Sequence, residues 1–213
     1  MKDNVFFMSG IDTNVGKSYA TGYLAKTWNE QGVRTITQKF IQTGNVGMSE
    51  DIELHRKIMG TGLLPEDESG LTMPEIFTYP CSPHLAAEID HRPIDFDKIE
   101  KATRQLSETY DAVLLEGAGG LMVPLTRDLL TIDYVAQKNY PLIFVTSGKL
   151  GSINHTLLSL EAITRRGIRL HSVAYNLFPE EDDDIIRRDT EAYIRDLLAK
   201  EYPETHFVVI PKL

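Results

Sequence analysis

The stretch Val5-Phe6-Phe7-Met8-Ser9-Gly10-Ile11-Asp12-Thr13-Asn14-Val15-Gly16-Lys17-Ser18 decides the fold of this chain. An apolar run leads into a turn of small residues, and Gly16-Lys17-Ser18 then opens a helical pattern. In a phosphate-binding loop, backbone N–H groups face the phosphates, the lysine adds a positive charge and the hydroxyl reaches a magnesium ion. The strict motif has four residues between its two glycines, whereas five residues separate Gly10 from Gly16. This loop is therefore a variant. A glycine turn with a surface lysine is the alternative.

The composition indicates a cytoplasmic protein of one domain, residues 1–213. Of the 213 residues, 42% are hydrophobic, which is enough for a full core. The net charge of −9 gives no general attraction to nucleic acid or to an anionic membrane, so neither is expected as a partner. Cys81 has no second cysteine to pair with, which fits a reducing compartment. We find no secretory leader, and no apolar run approaches the roughly 20 residues that cross a bilayer.

Strand-like apolar runs alternate with helix-like segments. The predicted strands are Val5–Ser9, Arg34–Phe40, Ala112–Glu116, Pro141–Ser147, His171–Asn176 and Phe207–Ile210. The predicted helices are Lys17–Glu30, Glu50–Met59, Asp95–Thr109, Thr131–Lys138, Ile153–Arg166 and Asp184–Tyr202. Residues 60–83 are expected to form a loop rich in glycine and acidic residues. Strands separated by such helices need crossover connections, so we expect a single-domain α/β fold like that of P-loop NTPases, with a mainly parallel sheet covered on both faces.

Polar residues follow the predicted strands, where parallel sheets bind their ligands. Lys39 ends the second strand and would stabilise charge shared between a γ-phosphate and an attacking anionic oxygen. Its alternative role is that of an edge lysine whose stem packs on the sheet. Glu116 ends a buried strand, like the acidic magnesium partner of nucleotide-binding sheets, or is simply an acidic strand end beside a turn. Asp51 fits a metal ligand and a helix-start acid equally well.

Other polar residues have weaker signals. Thr13 offers a hydroxyl to phosphate or to the acceptor, and Asp12 would suit an amine-bearing substrate or only shape the turn. His84 and His155 are possible general bases, but a helix-capping or core role fits them better, since neither has an identifiable partner. The run Asp182-Asp183-Asp184 fits a solvated helix start. Together the residues indicate magnesium- and ATP-dependent phosphoryl transfer to an anionic acceptor such as a carboxylate or carbamate.

The motifs, taken in order, resemble those of the dethiobiotin synthetase family. Residues Gly10 to Ser18 are similar to the family's Gly-Thr-Asp-Thr-x-Val-Gly-Lys-Thr, including its longer spacing. Four further family segments are matched by Lys39–Gly44, Ser82–His84, Glu116–Gly120 and Lys149–His155. Asn176 falls where a family asparagine ends a strand. The chain departs from the family pattern in having Ser18 for threonine, Phe40 for proline and Ile11 for threonine.

The resemblance implies an activity and an assembly. Such enzymes close the ureido ring of dethiobiotin from 7,8-diaminononanoate, carbon dioxide and ATP, through a carbamate and its mixed anhydride with phosphate. These small molecules are the implied partners, with Mg²⁺ as cofactor. Family members are homodimers in which the helix start after Gly151 reaches the partner's active site.

The resemblance also implies roles for individual residues. Lys39, Lys17 and Thr13 would be catalytic, and Ser18, Asp51 and Glu116 would surround the metal. ATP would be bound by Asn14, Val15, Gly16, Lys17, Ser18, Tyr19, Asp51, Glu116, Gly117, Ala118, Gly119, Asn176, Leu177, Ile210, Pro211 and Lys212. The substrate would be bound by Asp12, Thr13, Lys39, Thr43, Ser82, Gly151, Ser152 and Asn154.

A nucleotide-switch ATPase of the partitioning type is the alternative from another class. Such proteins usually carry a lysine early in the loop, where this chain has Ile11. They also need a surface that binds DNA or a membrane. The negative charge and the absence of a basic amphipathic tail argue against such a surface.

Overall fold

The computed structural model describes residues 4–178 and 183–212. The strands are β1 (Val5–Gly10), β2 (Thr35–Lys39), β3 (Gln42–Thr43), β4 (Ile76–Phe77), β5 (Ala112–Gly120), β6 (Leu142–Ser147), β7 (Leu170–Asn176) and β8 (His206–Ile210). The helices are α1 (Lys17–Glu30), α2 (Glu50–Met59), α3 (Pro65–Glu68), α4 (Pro83–Ile89), α5 (Phe96–Thr109), α6 (Thr131–Lys138), α7 (Ser152–Arg165) and α8 (Asp184–Glu201).

The main sheet has six parallel strands in the order β2-β5-β1-β6-β7-β8. A separate pair, β3 and β4, is also parallel. The expected α/β fold with a parallel sheet between helices is confirmed. All carboxyl ends of the six strands therefore lie along one edge of the sheet, where ligands of such folds bind.

The strand register brings distant polar residues together at that edge. Lys39 of β2 is paired with Glu116 of β5. On the other side of β1, Ser147 of β6 is paired with Asn176 of β7. The pairing of β1 with β5 shifts between Met8 and Gly10. The functional candidates of these strands thus surround the loop that follows β1.

Alternating strand residues supply two core layers. Met8, Leu114 and Ile143 pack with the α1 face, whereas the neighbouring Phe7, Leu115 and Phe144 belong to the larger core on the opposite face. Because both faces are covered, the strands are nearly continuous apolar runs. Complete burial of each such side chain is worth about 1.5–3 kcal/mol, so the core holds the strand ends in place.

The largest difference from the sequence predictions lies between residues 42 and 89. The loop predicted for residues 60–83 contains α3 and β4, and α4 begins at its end. Pro65 and Pro83 open these two helices at the first helical turn, a start signal that their short length concealed. Strand β5 also continues beyond Glu116 to Gly120, which pairs with Gly10. The other predicted boundaries differ from the observed ones by at most one residue.

Candidate active site

The loop after β1 is closed on itself by its own lysine. Gly16 has φ +81°, and a Cβ atom there would lie 2.1 Å from the amide nitrogen of Asn176, so only glycine fits. The Lys17 ammonium donates to the carbonyl oxygens of Asp12 at 2.7 Å and Thr13 at 3.2 Å. Burial lowers the pKa of Lys17 to about 8. The loop geometry is that of a phosphate cradle rather than a surface turn.

Asp12 shapes the loop locally. Its Oδ1 accepts a hydrogen bond of 2.7 Å from the backbone N–H of Thr13. This is the turn-forming role that the sequence left open. The side chains of Asp12, Thr13 and Asn14 are nevertheless exposed and border the adjoining cavity, so the loop also offers polar groups to a ligand.

Lys39 and Glu116 form the centre of the site. The Lys39 ammonium lies 2.9 Å from Glu116 Oε1 and 2.5 Å from Asp51 Oδ2. Burial alone would lower the pKa of Lys39, but the two carboxylates outweigh it and raise that pKa. Burial alone would raise the pKa of Glu116, but Lys39 and His55 together hold it well below its usual range. Both groups are therefore charged at neutral pH.

Asp51 joins the site from helix α2. Ser49 caps this helix by accepting from Ile52 N–H, which places Asp51 in the first turn. The Ser18 hydroxyl lies 2.6 Å from Asp51 Oδ1 and 2.9 Å from Glu116 Oε1. The three residues predicted to surround a metal thus converge on one point.

The donor set at this point fits Mg²⁺. A hydroxyl and two carboxylates are the hard oxygen ligands that this ion takes, and it commonly completes its shell with phosphate oxygens and water. Within residues 4–178 and 183–212, no three His, Cys, Asp or Glu side chains are grouped as a metal site. An ion bound between Ser18, Asp51 and Glu116 would keep coordination positions for phosphate oxygens and water.

Sequence reasoning missed a buried polar chain behind Glu116. His55 Nε2 lies 2.8 Å from Glu116 Oε2, and His55 Nδ1 lies 3.0 Å from Thr37 Oγ1. Arg56 donates to the same Thr37 oxygen at 2.8 Å and makes two 2.8 Å bonds to Asp67. All five residues are at most 2% exposed, and His55, Thr37 and Glu116 are fully buried. The chain links the site to the protein interior.

Phe40 strengthens the connection between the two central residues. Its ring is fully buried against Phe7 and Tyr134, with ring centres 5.6 and 4.8 Å apart. Its backbone N–H donates to the carbonyl oxygen of Glu116 at 2.8 Å. A proline at this position has no N–H and could not form that bond. Phe40, directly after β2, thus makes a backbone hydrogen bond to β5 that proline could not make.

A cavity of about 1050 Å³ adjoins the loop and the charged centre. The predicted site residues that line it are Asp12, Thr13, Asn14, Val15, Gly16, Lys17, Ser18, Tyr19, Lys39, Thr43, Asp51, Ser82, Glu116, Ala118, Gly119 and Ser152. Phe178 also lines it, with its ring 5.1 Å from that of Tyr19, and was not predicted. The predicted site residues outside this lining are Gly117, Gly151, Asn154, Asn176, Leu177, Ile210, Pro211 and Lys212.

Asn176, the last residue of β7, holds the phosphate loop in place through hydrogen bonds. Its amide nitrogen donates to the carbonyl oxygens of Val15 at 3.0 Å and Gly16 at 3.2 Å. Its side-chain oxygen accepts from Phe178 N–H at 3.1 Å. The residue is fully buried, and these three hydrogen bonds all join it to the protein backbone. Its predicted contact with adenine stays a prediction.

The two histidines considered as bases occupy different surroundings. His84 Nδ1 lies 3.0 Å from Ser82 Oγ at the start of α4, a local contact between two side chains that does not cap the helix. His155 is exposed on α7 and lines the main cavity. Asp183 caps α8 by accepting from two backbone N–H groups, and Asp182 lies outside the described residues.

The fold and the loop define the class: an α/β protein with a phosphate-binding loop. A family model described as AAA domain matches residues 4–213. The chain is 53% identical to the ATP-dependent dethiobiotin synthetase BioD 2 of Pasteurella multocida, over 97% of this chain and 96% of that one. It is 58% identical to the protein of the same name from Haemophilus influenzae, over 86% of this chain and 96% of that one. The chain belongs to the family of ATP-dependent dethiobiotin synthetases.

A more distant likeness concerns the fold alone. The ParA family ATPase of Chlorobium tepidum superposes with a TM-score of 0.54 at 12% identity, covering 99% of this chain and 85% of that one. The family membership does not favour the partitioning alternative. Among the described residues, no helix has both the length and the apolar character needed to cross a membrane.

Proposed function

We propose that this protein is an ATP-dependent dethiobiotin synthetase that uses the cavity beside Lys17 and Lys39. The observation that carries the proposal is the position of the Lys39 ammonium, which contacts both Asp51 and Glu116 next to the phosphate loop. A second buried cation is suited to an anionic acceptor rather than to water. The relatives named above support the particular reaction.

The proposed reaction has three steps. One amine of 7,8-diaminononanoate adds to carbon dioxide and loses a proton, which gives a carbamate. A carbamate oxygen takes the γ-phosphoryl group of ATP and releases ADP. The second amine then attacks the carbamoyl carbon, loses a proton, expels phosphate and closes the ureido ring of dethiobiotin.

The charged side chains would stabilise the transferring phosphoryl group. Lys17 would leave the loop carbonyls for the phosphates, and Lys39 would face the carbamate and the γ-phosphoryl oxygens. Thr13 would hold the carbamate through its hydroxyl, while Asp12, Thr43 and Ser82 would line the substrate side. Such preorganised charges act where negative charge moves between two oxygens.

Magnesium would be held by Ser18, Asp51 and Glu116, and it would supply neutralising charge to the β- and γ-phosphates. Backbone N–H groups of the loop and of Gly117 to Gly119 would contact the phosphates. Asn176, Leu177 and the Ile210–Lys212 segment would lie near the adenine.

We further propose a cytoplasmic homodimer in which the whole chain works as one domain. The start of α7, with Gly151, Ser152 and Asn154, would bind the substrate carboxylate in the second subunit, because a helix N-terminus favours an anion. Exposed apolar residues near it, Leu150 and Leu158, are 73% and 58% exposed in the single chain and would suit such a contact. The partners would be small molecules, without nucleic acid or membrane.

The test is ADP release from magnesium-ATP and bicarbonate, measured with and without 7,8-diaminononanoate. The proposal predicts release that requires the diamine, with labelled carbon entering an acid-stable product. Release that is indifferent to the diamine, or that responds instead to DNA or lipid, would contradict it.

A further inference from the structure

We infer that His55 is a positioning residue that fixes the orientation of the Glu116 carboxylate. Its imidazole occupies one carboxylate oxygen and leaves the other facing the site. The inference rests on the proposed function only where Glu116 is given a role in binding magnesium with a nucleotide.

The two Glu116 oxygens have separate surroundings. Oε2 lies 2.8 Å from His55 Nε2, behind the site. Oε1 lies 2.9 Å from both Ser18 Oγ and Lys39 Nζ, at the cavity. His55 and Glu116 are both fully buried, so water does not compete for this contact. Rotation of the carboxylate would break the imidazole contact and is therefore opposed.

The hydrogen-bond partners of the imidazole are compatible with a proton on Nε2, the nitrogen that faces Glu116. Arg56 Nη1 can only donate, so Thr37 Oγ1 accepts from it. The threonine proton is then available for His55 Nδ1, 3.0 Å away. This arrangement leaves the imidazole proton on Nε2, where it is donated to Glu116 Oε2. His55 is thus a donor aimed at one oxygen of Glu116.

The anchor of this arrangement lies in the interior. Arg56, which fixes the Thr37 hydroxyl, is itself held by two hydrogen bonds to Asp67. The Arg56 and Asp67 side chains are 2% and 0% exposed. A carboxylate held by such a buried network keeps its orientation before any ligand arrives. Partners of this kind, one contact removed from a metal, are typically worth about 10–100-fold in metal affinity or activity.

The test compares His55→Leu, which fills the space but cannot donate, with His55→Gln, which restores an amide donor. His171→Gln is the matched control for His55→Gln, because it makes the same change in β7, which three strands separate from β2. Binding of Mn²⁺ to the protein with ADP is measured by electron paramagnetic resonance, and binding of ADP without metal by calorimetry. Neither measurement needs the diamine, so the result stands even if diamine-dependent ADP release is not found.

We expect His55→Leu to weaken Mn²⁺ binding by about 10–100-fold while metal-free ADP affinity is unchanged. His55→Gln should recover most of the loss. Mn²⁺ binding by His55→Leu equal to that of His171→Gln would overturn the inference, as would an equal loss of ADP affinity without metal.

If His55→Leu does not fold, Thr37→Val decides the matter. Valine has the shape of threonine without the hydroxyl that orients His55, so Mn²⁺ binding should again weaken. An unchanged Mn²⁺ affinity in Thr37→Val would refute the positioning role.

Discussion

Two buried ionic clusters lie close together in this protein, and they differ in their cation and in their access to the cavity. The open cluster is Lys39, Asp51 and Glu116, and all three residues line the cavity. The closed cluster is Arg56 with Asp67, and neither residue lines it. The two Asp67 oxygens each accept from Arg56, and one also accepts from Thr72 and the other from Leu64 N–H.

The difference follows from the chemistry of the cations. An arginine in a two-point contact with a carboxylate is fixed in one geometry, whereas a lysine ammonium is a point charge that can change partners. The closed cluster therefore suits a structural role, and the open cluster suits a reaction in which charge moves. Burial of a charged residue is not by itself a sign of function; the partner and the access to a cavity are.

The largest expected effect is on stability, from Arg56→Leu. This change leaves Asp67 buried without its cation, which typically destabilises by about 3–5 kcal/mol. Urea unfolding of the variant measures the loss. The double variant Arg56→Leu with Asp67→Leu removes both charges and should recover much of the loss. If Arg56→Leu is as stable as the wild-type protein, the closed cluster has no structural role.

The next effect is on catalysis, from Lys39→Ala. Removal of one electrostatic contact to the transition state should lower kcat by ~10²–10³-fold, with a modest change in ATP affinity. Steady-state rates of ADP release provide the measurement. Lys138→Ala, which removes a lysine paired with Glu100 away from the cavity, is the control. A near-normal rate in Lys39→Ala would exclude Lys39 from catalysis.

Two matched carboxylate-to-amide changes then separate the clusters. Glu116→Gln should raise the magnesium concentration needed for half-maximal rate by at least about tenfold, because a ligand is lost, while the protein stays folded. Asp67→Asn should mainly lower the melting temperature and should change the magnesium requirement much less than Glu116→Gln does, because Asp67 reaches Glu116 only through Arg56, Thr37 and His55. A Glu116→Gln variant that mainly melts earlier, with full activity per folded molecule, would make Glu116 structural.

The smallest effect is a pH dependence of stability that comes from Asp67. Burial alone would raise the pKa of this carboxyl, but the hydrogen bonds from Arg56, Thr72 and Leu64 N–H, with the Arg56 charge, outweigh it and lower the pKa below the usual 3.8. The resulting stability is present above the unfolded-state pKa and is lost as the pH falls through the folded-state pKa. The original protein should therefore lose more stability than Asp67→Asn between about pH 5 and pH 3. Equal acid sensitivity of the two proteins would contradict this assignment.

The sequence predicted the main sheet because its strands are long apolar runs with clear glycine boundaries. It also predicted Lys39 and Glu116, since polar residues after parallel strands meet at one edge, and Ser18, from the motif of the phosphate loop. The geometry around Asp51 could not be predicted, because the turn of chain between β3 and α2 sets its distance from Ser18.

His55 was missed although a signal was present. It follows Asp51 by one helical turn and so lies on the same face of the predicted helix Glu50–Met59. A histidine on the buried side of that helix needs a polar partner, and Glu116 was the available candidate. Thr37 and Arg56 could not be added from sequence, because their contacts depend on how α2 packs beside β2.

The backbone hydrogen bonds around Lys39 confine motion at this point to its side chain. Lys39 N–H donates to the carbonyl of Thr72 at 2.7 Å, and the next N–H, of Phe40, donates to Glu116 at 2.8 Å. The backbone is thus fixed on both sides of a long, flexible side chain. In the proposed reaction, the ammonium can exchange carboxylate partners for phosphate and carbamate by rotation about the bonds of its own side chain. Charge can then be redistributed by one side chain, without the slower rearrangement of a loop.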